Sequence, residues 1–250
     1  MKAHFRRGRT LVAVLGAYLG LASSADAQQI VAFGAAEWAP NDRNVQLLGL
    51  AVSSGAPGWS PVFTITGLRF AFPDGLGGTA DAFAVAPSLG MRYQTETQST
   101  GVHVGYLFVD EDDDAAVITG SPVGTSDGVF ATFQYDYWGR GEKIGQLIAT
   151  YNFGAQYLWS RAKGGVRFPS ITSPLFLGAE AIIQGGGDDD DLGVEDTWTL
   201  QAGPVLMFQV TPNFRLDLSG GVWVPIEDPF DEGTGGYARI EFVAVLPRFW

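Results

Sequence analysis

Between residues 29 and 246, apolar and polar side chains alternate in runs of about ten residues, separated by Gly, Pro, Asn and Asp. Successive side chains of a strand point to opposite faces, so each run predicts a strand with one apolar and one mixed face. Twelve are found, at roughly 29–37, 44–52, 60–72, 80–93, 99–109, 127–137, 144–153, 155–168, 174–184, 196–210, 213–224 and 236–246. The eleventh sets Phe214, Leu216, Leu218, Val222 and Val224 against Arg215, Asp217, Ser219 and Trp223. The tenth sets Trp198, Leu200, Ala202, Leu206 and Phe208 against Thr197, Thr199, Gln201 and Gln209. The sixth and ninth divide in the same way, with Thr132, Gln134 and Asp136 on one mixed face and Glu180 and Gln184 on the other.

A soluble β-sandwich alternates too, so the connections have to decide. If the first strand starts in the periplasm, connections after odd strands lie outside the cell and those after even strands are short periplasmic turns. The three acidic runs, Asp110–Asp114, Asp188–Asp191 with Glu195 and Asp196, and Glu227–Glu232, follow strands five, nine and eleven. All are odd, and one miscounted strand would scatter them. The short connection Asn152–Ala155 is the outer turn that fits this scheme least well. Trp38, Trp59, Trp138, Trp198 and Trp250 fall at strand ends, where a transmembrane barrel carries its aromatic girdles.

The two ends of the chain sharpen this reading. Lys2, Arg6, Arg7 and Arg9 precede an apolar run, Leu11–Ala22, and the small-residue site Ala25-Asp26-Ala27, the pattern of a secretory signal peptide. Residues 1–27 are therefore expected to be removed and 28–250 to form one barrel domain. Removal takes away four basic residues and one acidic residue, moving the formal charge from −12 to −15. So acidic a chain is a poor partner for nucleic acid or anionic headgroups through a basic surface. It has no cysteine, which excludes disulfides and thiolate metal sites. At the other end Ile240, Phe242, Ala244 and Leu246 share one face, and Trp250 keeps their register. Phe242, Phe249 and Trp250 are read as the closing-strand signal that the barrel-assembly machinery recognises.

Once the signal segment is gone, His103 is the only imidazole left to serve as a general base. It shares a face with Gly105, Leu107 and Val109, and no serine motif stands near it, so an ordinary inward histidine is the better reading. The run Asp188–Asp191 lacks the alternating spacing that wraps carboxylates around one calcium ion, and it reads as solvated loop charge. No cofactor and no metal is called for. The lumen-lining candidates are Arg69, Arg92, Asp136, Tyr157, Trp159, Arg161, Lys163, Arg167, Glu180, Arg215, Asp217, Arg239 and Glu241. Charges of both signs inside a barrel either stiffen a filled lumen or line a narrow passage. The first is preferred, because side chains fill much of a barrel of this size.

From Asp136 to Val224 the stretches DYWGRGEKIGQLIATYNFGAQYLWSRAKGGVRF, LFLGAEAIIQGGGD and LQAGPVLMFQVTPNFRLDLSGGVW resemble the cellulose biosynthesis protein S family. The resemblance implies a secreted outer-membrane barrel associated with bacterial cellulose synthesis, and it brings no catalytic residues with it. The expectation is an all-β, antiparallel transmembrane barrel of about twelve strands in the outer membrane. Its expected role is non-catalytic, as an accessory or passage component for cellulose or another exopolysaccharide. Its expected partners are membrane lipid, the assembly machinery, the polysaccharide and secretion-complex proteins. The alternatives are a barrel hydrolase or acyltransferase using His103, and a general passive pore.

Overall fold

The computed structural model describes residues 28–40, 43–73, 79–111, 127–169, 174–186, 197–227 and 233–246. The expected signal segment, most of the three acidic runs, and Phe249 and Trp250 lie outside these. Twelve strands are present: β1 (Gln28–Trp38), β2 (Asn44–Ser54), β3 (Gly58–Pro73), β4 (Thr79–Gln94), β5 (Gln98–Glu111), β6 (Gly128–Tyr137), β7 (Lys143–Asn152), β8 (Tyr157–Arg167), β9 (Leu175–Gly186), β10 (Thr197–Thr211), β11 (Phe214–Glu227) and β12 (Gly235–Leu246). Each pairs antiparallel with its sequence neighbours, and β1 closes on β12 through Ile30 opposite Leu246 to Trp38 opposite Ala238. A closed barrel leaves no strand edge, the condition for a sheet to sit in lipid.

Outward positions are apolar around the whole wall: Leu48, Leu50, Leu89, Met91, Val102, Val104, Leu147, Leu177, Ile183, Leu206 and Val222 all stand exposed. A soluble protein does not carry a continuous apolar belt of this extent, whereas a bilayer requires one. Aromatic residues mark its two rims. Trp38, Tyr106, Phe108, Tyr151 and Phe153 lie toward the end where odd strands finish, and Trp59, Tyr93 and Phe168 lie toward the other. Trp59, 70% exposed, stacks against Tyr93 with ring centroids 5.3 Å apart. Connections at the Trp59 end are short, spanning 55–57, 95–97, 138–142, 168–174 and 212–213, so that end is periplasmic. The tight outer turn after β7 is closed by Asn152, whose Oδ1 accepts from the backbone N–H of Gly154 at 2.9 Å.

The inner face is packed rather than empty. Small residues of β4, Ala82, Ala84 and Ala86, are nearly inaccessible beneath Leu68, Phe70, Leu107, Val109 and Phe130. A second apolar cluster joins Phe176, Val205, Met207 and Ile144 toward the periplasmic end. Close strand approach depends on Gly178 of β9, where an added Cβ would lie 1.8 Å from the Gly164 carbonyl oxygen of β8.

Full-length protein is expected in the outer-membrane fraction with heat-modifiable gel migration. Gly178→Val should sharply reduce the folded band by forcing β8 from β9. Wild-type protein recovered soluble from the periplasm would contradict the membrane barrel.

Candidate functional site

The lumen between β8 and β1 holds a set of buried charges. Arg161 and Lys163 project inward from β8, because they share parity with Tyr157 and Trp159, while Leu158, Ala162 and Val166 face lipid. Arg161 donates to the carboxylate of Glu241 and to Gln146 Oε1. Lys163 Nζ reaches Asp217 Oδ2 at 2.6 Å and Glu241 Oε1 at 2.7 Å. Arg215 Nε stands 3.0 Å from Asp217 Oδ1, an ion-pair distance without good hydrogen-bond alignment. These contacts run across the interior: β9, β10 and β11 lie between the strands that carry Arg161 and Glu241.

A second tier lies nearer the outer mouth. Arg239 Nη1 donates to Glu37 Oε2 at 3.0 Å, and Gln201 Nε2 donates to Glu37 Oε1 at 2.7 Å. The Tyr237 hydroxyl donates to Glu180 Oε1 at 3.1 Å. Between the tiers sits Trp159, with the guanidinium carbons of Arg161 and Arg239 at 5.8 and 5.7 Å from its ring centroid. Such contacts add stabilisation beyond the ion pairs where water is excluded. Four bases, Arg161, Lys163, Arg215 and Arg239, thus face four acids, Glu37, Glu180, Asp217 and Glu241. The side chains of Lys163 and Arg161 are only 2% and 4% exposed. Charges so far from water persist only when paired.

Asp136 joins the cluster through glutamine. Gln146 Nε2 donates to its Oδ1 at 2.7 Å while Gln146 Oε1 accepts from Arg161, and Gln134 Nε2 holds the other oxygen at 2.6 Å. Arg92 stands apart on β4, donating to Ser53 Oγ at 2.6 Å and to Gln29 and the Ser54 carbonyl at 3.2 Å each. His103 faces inward between Gly90 and Thr132, and the Thr132 hydroxyl is engaged with Thr150 Oγ1 at 2.9 Å. The hydroxyl directly opposite His103 on β6 thus already has one hydrogen-bond partner.

Two expected positions differ. Arg69 faces lipid, not lumen: it lies opposite Gln46 and Phe83, on the parity of Gly67, and pairs with Asp81 through Nη2 at 2.9 and 3.0 Å. Strand β3 carries apolar residues on both faces, so a charge alone did not fix its register. Arg167 has inward parity but is exposed at the end of β8, outside the network. Glu37, Gln146, Gln201 and Tyr237 belong to the network without having been singled out. Glu37 shares its inward parity with the bulky Val31 and Phe33, so alternation by itself would assign it to the lipid face. Phe242 faces outward, its ring 6.4 Å from Phe214.

No protein-family model matches the chain, and no curated protein matches it. Solved structures do. An outer membrane channel from Pseudomonas putida F1 superposes with a TM-score of 0.52 at 12% identity, over 88% of this chain and 95% of that one. The β domain of the Bordetella autotransporter Brka gives 0.50 at 12% identity, over 88% and 100%. The KdgM porin gives 0.48 at 9%, over 87% and 99%. The closed twelve-strand wall with its lipid-facing belt makes this chain an outer-membrane β-barrel. At these identities the likeness is one of fold.

Losing one partner of a buried pair costs about 3–5 kcal/mol. Arg161→Gln and Lys163→Gln should each lower the melting temperature of the purified barrel by several degrees, read by the loss of the folded gel band on heating. Arg167→Gln, at an exposed strand end, should leave it within about 0.5 kcal/mol of wild type. Equal effects at all three positions would mean that the cluster is not desolvated.

Proposed function

We propose that this barrel is a non-catalytic outer-membrane component of exopolysaccharide secretion, acting in cellulose export, and that its ionic network keeps the lumen closed at rest. The observation that carries the closed state is the set of buried ties from β8 to β11 and β12. The polysaccharide part rests on the resemblance of residues 136–224 to the cellulose biosynthesis protein S family. That stretch coincides with β6 to β11, which supply Asp136, Gln146, Arg161, Lys163, Glu180, Gln201, Arg215 and Asp217. A polymer does not thread a passage crossed by paired charges, so the barrel serves the export machinery as an accessory wall or as a gate opened by a partner.

A passive pore is the second reading. It is favoured by the other side of the lumen, where Thr64, Thr66, Thr132 and Thr150 keep partial accessibility and offer hydroxyls to water and small solutes. The description of the Pseudomonas structure as a channel agrees with it. An enzyme reading finds less support, since the hydroxyl opposite His103 is already bonded elsewhere.

Deleting the protein should remove surface cellulose while leaving inner-membrane synthesis intact, and His103→Ala should restore export as fully as wild type. In planar bilayers the purified barrel should show little conductance. Unchanged surface cellulose with large, steady single-channel currents would replace the accessory reading with the pore. Failure of His103→Ala to complement, at normal membrane levels, would restore the enzyme.

A further inference from the structure

The lipid-facing wall is not uniform. Across β12, β1, β2, β3 and β4 one rung of outward residues runs Phe242, Gly34, Leu48, Gly67, Val85, so that large and glycine positions alternate. Next to it, toward the outer rim, runs Ile240, Ala36, Gln46, Arg69, Phe83. The Phe242 ring lies over Gly34, and the space left open over Gly67 between Leu48 and Val85 is a groove of about 600 Å³ facing the bilayer, apolar along nearly all its lining. At its outer end stand Arg69 and Asp81. Among the described residues, the other charges at outward strand positions are Lys143, Asp110 and Glu227 (opposite Trp198), all at or next to strand ends.

A charge on this wall is costly at mid-bilayer and nearly free at headgroup depth. Arg69 lies toward the outer end of β3, one outward rung from the register of Trp38. Asp81 grips only Nη2 of the guanidinium, and the Phe83 ring lies 6.0 Å from its central carbon. Arg69 is thus held in place with its remaining N–H groups available to an acceptor, and the Asp81 carboxylate, bonded among the described residues only to Arg69 Nη2, keeps lone pairs for a ligand hydroxyl. An apolar trough leading to a fixed guanidinium and a carboxylate matches a lipid with an acyl chain, a phosphate and hydroxyl-bearing sugars. That end of the barrel carries the longer connections and faces the extracellular leaflet.

We propose that the groove seats one acyl chain of a phosphorylated glycolipid of the outer leaflet, with its phosphate on Arg69. This site lies on the outer wall and is independent of what the lumen does. A bulky residue at Gly67 tests it cleanly, because an added Cβ there meets nothing closer than the Leu48 carbonyl oxygen at 3.8 Å. Gly145, outward on β7 and away from the groove, is equally open, with its nearest atom also at 3.8 Å, and gives the control.

The experiment is native mass spectrometry of the detergent-purified full-length barrel, delipidated and then titrated with short-chain lipopolysaccharide or with phosphatidylglycerol. Wild type and Gly145→Phe should each retain one lipopolysaccharide, and Gly67→Phe should retain at least tenfold less. The double variant Arg69→Gln/Asp81→Asn removes both charges together, leaves neither unpaired, and should lose the lipid to a similar degree. It also stands as the test if Gly67→Phe fails to show the heat-modifiable band. Equal retention of phosphatidylglycerol, no retained lipid on wild type, or full retention by the folded double variant would each overturn the proposal.

Discussion

Everything in this structure follows from the requirement that no backbone N–H or C=O be left unpaired in lipid. The pairing of β1 with β12 meets it, from Ile30–Leu246 to Trp38–Ala238. Closure then assigns every other residue to one of two environments. Outward positions must be apolar, which is why Leu216, Leu218 and Ile240 alternate with charged neighbours in β11 and β12. Inward positions are free to be polar, yet they are screened from bulk water by the wall. Charges placed there have to find one another, and they do so across the lumen, between adjacent strands and along β11.

How much of this was legible in the sequence varied with the local pattern. All twelve strands were, because most of them alternate against lipid, and the strand ends match to within three residues. In β11 and β12 the same alternation also fixed the faces of Arg215, Asp217, Arg239 and Glu241. It failed at Arg69, because β3 sets Leu68 and Phe70 inward and Phe63 and Ile65 outward, so neither face stands out as apolar. It also passed over Glu37, a single acid after Gly34-Ala35-Ala36. The pairings were invisible for a different reason. Arg161 and Glu241 are 80 residues apart, and Gln201 and Glu37 are 164 apart. Periodicity says which way a side chain points but not which strand it meets across a closed sheet.

The two sites on the wall put charge to opposite uses. Inside, four bases and four acids face each other and exclude water, an arrangement suited to holding a shape. Outside, Arg69 and Asp81 sit at the rim of an apolar groove, where a half-exposed pair remains open to a third partner. The lumenal cluster is uneven around the barrel. It is dense from β8 to β1, whereas β2 to β6 set Arg92, His103 and Asp136 among small, hydroxyl-bearing and apolar side chains.

The central claim is that Arg161 and Glu241 act as one buried unit across the lumen, and a double-mutant cycle measures this directly. Unfolding free energies of wild type, Arg161→Gln, Glu241→Gln and the double variant, determined in the same lipid or detergent, give their coupling. Contacting residues in one network couple by about 0.5–3 kcal/mol, and the account predicts a value in the upper half of that range, with the double variant more stable than the two losses together imply. Additivity within about 0.3–0.5 kcal/mol would contradict it, showing that water and not the opposite strand is the partner of each charge.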